Sequence, residues 1–143
     1  MEKTAKEIER YVYKLLKESV IAESISGGVY RKGMRPLDSK LEDAIVKFTT
    51  GLSGQIQTGV VTINIYVPDI DPYGNGVLVE DGKRTEELEV MAQRWVESLK
   101  ANEYIFSTDD TICTDEAAEI NQHFVVIKLT YRYYADDDAN IRN

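Results

Sequence analysis

Between Gly59 and Pro68 the chain alternates: Val61, Ile63, Ile65 and Val67 take every second position, with Thr62, Asn64 and Tyr66 between them. A period of two sets the four aliphatics on one face of an extended strand. The stretch therefore predicts a strand buried on one side, in an antiparallel or mixed sheet. Pro68 closes it, because proline brings no N–H to a ladder. Asp43 to Thr50 alternates as well, with Ala44, Val46 and Phe48 on one side. Gly51-Leu52-Ser53-Gly54 supplies the reversal that makes the two runs a hairpin.

A three-and-four spacing appears twice. Ile8, Tyr11, Val12, Leu15, Leu16 and Val20 mark one face of a helix from Thr4 to about Glu23, and Thr4 with Glu7 has the spacing of a capping box at its start. Leu88, Met91, Ala92, Trp95, Val96 and Leu99 mark a second helix, capped by Thr85 and running from about Glu86 to Ala101. Glu86, Glu87 and Glu89 then fall in its first turn, where the helix dipole favours negative charge. Trp95 lies mid-stripe, which assigns it to core packing.

Shorter signals fill the gaps. Gly28 to Lys32 reads as a short strand, and Gly33 to Leu37 as a turn or extended link, since the residue before Pro36 avoids the helical region. Residues 68–83, with Pro68, Pro72, Gly74, Gly76 and Gly82, form a long loop, with a brief extended piece at Val77-Leu78-Val79. Tyr104 to Thr114 is extended with a bend at Asp109-Asp110, and Asp115 to Glu119 is a connection. His123 to Tyr134 is apolar on both faces at Phe124-Val125-Val126-Ile127, the mark of a central strand.

The expected fold is α+β: a four- to five-stranded, mostly antiparallel sheet with two helices packed on one face. One domain over 1–135 and an acidic tail over 136–143 account for the chain. Its 143 residues suffice for a single core, so neither a disulfide nor a metal is needed for folding. The formal net charge of -8 disfavours direct nucleic-acid binding, because such affinity comes largely from Lys and Arg on phosphates. No apolar run has the length of a membrane span, and Met1-Glu2-Lys3-Thr4 leads into a charged helix, so a cytoplasmic protein is expected.

Candidate chemistry is sparse. His123 is the only histidine and Cys113 the only cysteine, and no glycine-rich phosphate loop is present. His123 opens a strand with no second histidine or carboxylate cluster near it in sequence, and Cys113 reads as a small apolar strand residue. Asp69, Asp71, Gly74 and Glu80 fall at positions one, three, six and twelve of an EF-hand loop. However, Tyr73 stands where an oxygen ligand belongs, Pro72 stiffens the backbone, and a strand enters the loop. No metal, cofactor or catalytic residue is assigned, and the chain is not expected to be an enzyme.

The order helix, short strand, hairpin, long loop, helix, hairpin resembles the small tail-terminator and head–tail joining (neck) proteins of long-tailed bacteriophages and prophages. The resemblance is carried by Gly28-Val29-Tyr30, Arg35-Pro36, Glu42-Asp43 leading into a strand, and the Gly59 to Asp69 strand. The Leu88 to Leu99 helix and Tyr131-Arg132-Tyr133 complete it, so that it spans Glu7 to Tyr134. It implies an α+β subunit that closes into a ring, caps the tail tube and joins it to the head alongside other phage tail or head structural proteins. Such a protein would sit in the bacterial cytoplasm during assembly and then in the virion tail or neck. A ring repeats one contact between unlike patches. Arg31, Lys32 and Arg35 are the candidate for one side, and the acidic 69–81 loop with Asp69, Asp71 and Glu80 for the other. The basic cluster has a plainer alternative as a solvated sheet edge that discourages strand pairing. A non-enzymatic cytoplasmic binding module, a regulator or immunity-type partner, is the other function class that fits.

Overall fold

The computed structural model describes residues 2–134; the acidic 136–143 tail lies outside them. In order come helix α1 (Ala5–Lys17), helix α2 (Val20–Ser24), strands β1 (Val29–Arg31), β2 (Asp43–Leu52) and β3 (Ile56–Pro68), helix α3 (Gly82–Ser98), and strands β4 (Tyr104–Thr108) and β5 (Cys113–Ala117). A 3-10 turn (Ala118–Ile120) then leads into strand β6 (Gln122–Tyr134). The fold is α+β, as expected, but the sheet is larger and mixed: six strands in the order β1-β2-β3-β6-β4, with β5 also on β6.

Two features of the chain enlarge the sheet. β1 lies parallel to β2, Val29 beside Ala44 and Arg31 beside Val46, because the 32–42 segment carries the chain back past the sheet end before β2 begins. The predicted 104–114 strand is split: β4 and β5 both pair antiparallel with β6, separated by the bend at Asp109-Asp110. Asp115 to Ala117, predicted as connection, belong to β5.

The alternation in β3 does what its period requires. Val61, Ile63 and Ile65 are fully buried, and in register they meet Phe48, Val46 and Ala44 of β2 and Leu129, Ile127 and Val125 of β6. All three helices pack on that face, contributing Ile8, Val12 and Leu16 from α1, Ile21 from α2, and Leu88, Ala92, Trp95 and Val96 from α3. Close packing is needed at Gly59: a Cβ there would lie 2.1 Å from the Thr50 carbonyl oxygen and 2.7 Å from the Tyr131 hydroxyl. Only glycine lets β2 and β3 approach beside the register shift between Phe48 and Thr50.

The helix ends depart from expectation for local reasons. The capping box of Thr4 and Glu7 forms, but the single helix to Glu23 breaks at Ser19. That residue is extended (φ -89, ψ 166), and its hydroxyl caps α2 through the Ala22 N–H while donating to the Leu16 carbonyl. α3 starts three residues before the predicted cap, because the Asp81 carboxylate accepts the Arg84 N–H. The Thr85 hydroxyl instead turns back to Glu80 at 2.7 Å. Glu86, Glu87 and Glu89 therefore sit beyond the first turn, and the helix stops at Ser98 instead of Ala101.

Candidate functional site

The predicted site residues separate into three places. Arg31 turns toward the helix layer, where its Nε lies 2.8 Å from the Glu9 carboxylate, a group 3% exposed, and a terminal nitrogen donates to the Lys6 carbonyl. Lys32 is exposed in the turn after β1. Arg35 goes into a buried hub. Its Nε donates to Asp43 at 2.8 Å, one terminal nitrogen reaches Gln122 Oε1 at 2.9 Å and the Leu41 carbonyl at 3.2 Å, and its Cζ lies 4.4 Å from the centre of the Tyr66 ring. The candidate interface cluster is thus broken up: two of its three cations serve contacts within the chain, as buried carboxylates demand.

Asp43 is the centre of that hub. It is fully buried, and Ser39, the Gly28 N–H and Arg35 all donate to its two oxygens. Gln122 holds the Ser39 carbonyl from the other side. The hub pins the 32–42 segment to the ends of β2 and β6. Burial works to raise the Asp43 carboxyl, but the bonds from Ser39, Gly28 and Arg35 outweigh it and hold the group below the usual carboxylate range. A depressed pKa contributes stability that is present above the unfolded value, about 3.9, and lost as pH falls through the folded value. Urea midpoints from pH 7 down to 2 are expected to show wild type losing stability below about pH 4, where an exposed aspartate begins to protonate. The gap between wild type and Asp43→Asn should close over the same window. A gap unchanged with pH would show that the Asp43 charge does not support the hub.

The acidic loop divides as well. Asp71 turns inward on its own segment, accepting from the Asn75 and Gly76 N–H groups, and thereby shapes the tip. Ile70 and Val79 pair in a single antiparallel bridge, which makes the loop a small projecting hairpin. Asp69 and Glu80, at the base, converge on His123. Nδ1 of the ring lies 2.7 Å from Asp69 Oδ1, and Nε2 lies 3.8 Å from Glu80 Oε1. The second oxygen of Glu80 accepts from Thr85, at the start of α3.

The carboxylates that the sequence did not place near His123 are therefore present, brought there by the end of β3, the loop and the helix start. A proton on Nδ1 would be donated to Asp69 Oδ1, which fixes the plane of the ring. The arrangement can orient the imidazole and hold the loop base against β6. Among the described residues no three His, Cys, Asp or Glu side chains are grouped to hold a metal ion. In particular, Asp71 is engaged with backbone at the tip while Asp69 and Glu80 point to His123, so the EF-hand spacing does not produce an EF-hand ligand set.

A further feature gives no sequence signal. α1, α2 and α3 leave between them a groove of about 1240 Å³ with Leu15, Val20, Val90, Met91 and Trp95 along it and Lys83, Glu86, Glu87 and Arg94 at its margins. Arg84 closes one end by bridging Glu42, at 2.9 Å to both oxygens, and the Ser24 carbonyl. No protein-family model matches the chain, and no curated protein matches it.

Proposed function

We propose that this chain is a virion assembly subunit of a long-tailed bacteriophage or prophage, acting like a tail terminator or head–tail joining protein by closing into a ring with copies of itself. The resemblance through Gly28-Val29-Tyr30, Arg35-Pro36 and the β3 strand supports the reading. The observation that carries it is that two ordered projections hold apolar side chains out in solvent. At the end of the β2–β3 hairpin Leu52 is 72% exposed and Ile56 44%. On the 69–81 loop, fixed by Asp71 and the Ile70 bridge, Tyr73 is 79% exposed and Val77 57%. Apolar groups presented this way suit a surface that another subunit covers.

The partners of this reading are further copies of the chain and other tail or head proteins. Among the described residues no helix is long and apolar enough to cross a membrane, and the net charge of -8 opposes binding to a polyanion. The test is negative-stain microscopy and light scattering at high protein concentration, together with capture of the tagged chain from phage-producing cells. Closed rings, or recovery of tail or head proteins, are the expected result. Absence of rings under every condition, with no virion protein captured, would overturn the reading.

The groove between α1, α2 and α3 favours a second reading, a non-enzymatic binding module, because a groove between helices with apolar side chains along it accepts an amphipathic helix of a partner. That reading gains if the capture returns one stoichiometric protein unrelated to virions.

A further inference from the structure

With Arg31 and Arg35 consumed inside the chain, a row of cations left for contact with another molecule runs along α1 and the residues before it. Lys3, Lys6, Arg10, Lys14 and Lys17 recur every three or four residues. At 3.6 residues per turn the four within α1, Lys6, Arg10, Lys14 and Lys17, fall within an arc of about 80°, on the side of the helix opposite Ile8, Val12 and Leu16. Lys6, Arg10, Lys14 and Lys17 are exposed. From Lys6 to Lys17 the stripe is about 16 Å long. Of the carboxylates of α1, Glu9 is buried against Arg31, and Glu7, bound back to the Thr4 N–H at 2.9 Å, offsets the stripe only toward its start, where it acts on Lys3 and Arg10. Among the described residues none of the five cations enters a salt bridge; Lys17 donates to the Tyr13 hydroxyl, and Lys3 lies over the Tyr133 ring.

The opposite charge collects on the far edge of the sheet. Asp109, Asp110, Asp115, Glu116 and Glu119 are all exposed, and no Lys, Arg or His occurs from Tyr104 to Gln122. One cation approaches them, Lys128 at 3.6 Å from Asp110, in a pair more than half exposed on both sides. β5 is bonded to β6 along one side alone, so its other edge is an open strand edge.

We propose that the basic stripe of α1 docks on the acidic β5 edge, residues 109–119, of a second copy of this chain. The proposal rests on the ring reading and names its contact. Charge complementarity selects the occupant: a chain of net charge -8 repels nucleic acid and anionic membranes at long range, whereas each further copy brings a row of exposed carboxylates whose one salt bridge among the described residues, Lys128 with Asp110, is itself more than half exposed. Stripe and edge are unlike patches on one subunit, in the helix layer and on the sheet rim. Their contact is therefore heterologous, the kind that propagates into a ring. Exposed ion pairs of this sort act mainly on encounter rate and register and weaken with salt.

Cys113, exposed on β5 and the only cysteine, allows a direct test. A photo-crosslinker attached there and activated at high protein concentration is expected to join the α1 peptide of a second copy, less so as salt rises. Two variant sets extend it: Lys6→Glu/Arg10→Glu/Lys14→Glu, and Asp115→Lys/Glu116→Lys/Glu119→Lys. Each alone should lower association by at least about tenfold. An equimolar mixture should restore it, because the acidic stripe of one variant meets the basic edge of the other, and the remaining pairing is the wild-type one. Crosslinks that map outside α1, or variants that assemble like wild type, would overturn this contact while leaving the ring reading in place. Wild type that neither crosslinks nor assembles would bring down both. Tight binding of wild type to a fluorescein-labelled DNA duplex, lost in the α1 variant, would assign the stripe to a polyanion and overturn the proposal.

Discussion

An Ile63→Asp chain is expected to show no cooperative thermal transition and no near-ultraviolet circular dichroism of a packed core. Ile63 is fully buried between Val46 and Ile127 in the middle rows of the sheet, directly beneath the helix layer. Removing its side chain alone costs about 2–5 kcal/mol. Placing a carboxylate there adds the desolvation of a charge for which that apolar face offers no partner. The sum reaches the roughly 5–15 kcal/mol that holds a domain of this size together. A control on the opposite face, Arg132→Thr, should change stability by no more than about 0.5 kcal/mol, since Arg132 is solvent-exposed. An Ile63→Asp chain that melts like its parent would remove β3 from the core and with it the fold described above.

Arg35→Ala is the second large effect, at about 3–5 kcal/mol, the usual consequence of leaving a buried charge without its partner. Asp43 is fully buried and the Arg35 side chain only 11% exposed, so solvent cannot replace the lost guanidinium. Arg35→Lys should recover little. An ammonium cannot reach Asp43, Gln122 and the Leu41 carbonyl together while keeping the cation over the Tyr66 ring. The double variant Arg35→Met/Asp43→Asn should lose less than the sum of its two single changes, because no unpaired charge remains. Urea denaturation reads all four chains. A loss below about 1 kcal/mol in Arg35→Ala would show that the 32–42 segment is held by other contacts. Arg35 and Lys32 are three residues apart in sequence, yet the first is a structural strut and the second a free surface charge; proximity in the chain did not make them one patch.

The sheet edge gives a parallel lesson. The bend at Asp109-Asp110 was visible as two adjacent carboxylates in a strand-like run, and it does divide β4 from β5. What the run could not show is that both pieces pair with the same strand, or that Asp115 and Glu116 continue the pairing. Polar residues at an edge obey no strict alternation, since one side of the strand faces water whichever way they point.

The sequence by itself determined the elements whose physics is local. The period-two aliphatics of β3 defined the buried face, the three-and-four stripes of α1 and α3 defined their packed sides, and Thr4 with Glu7 defined where α1 starts. Burial of a periodic face needs no knowledge of what covers it. Tertiary structure alone decided where the charges go. Asp69 and Glu80 are brought to His123, which lies 54 residues beyond Asp69 in the chain, and Asp43 gathers Gly28, Ser39 and Arg35. A buried carboxylate must find donors wherever the fold supplies them, and that requirement leaves no period in the sequence. The break at Ser19 and the start of α3 at Gly82 have the same origin: a side chain that could cap in several places caps where packing leaves an N–H unpaired.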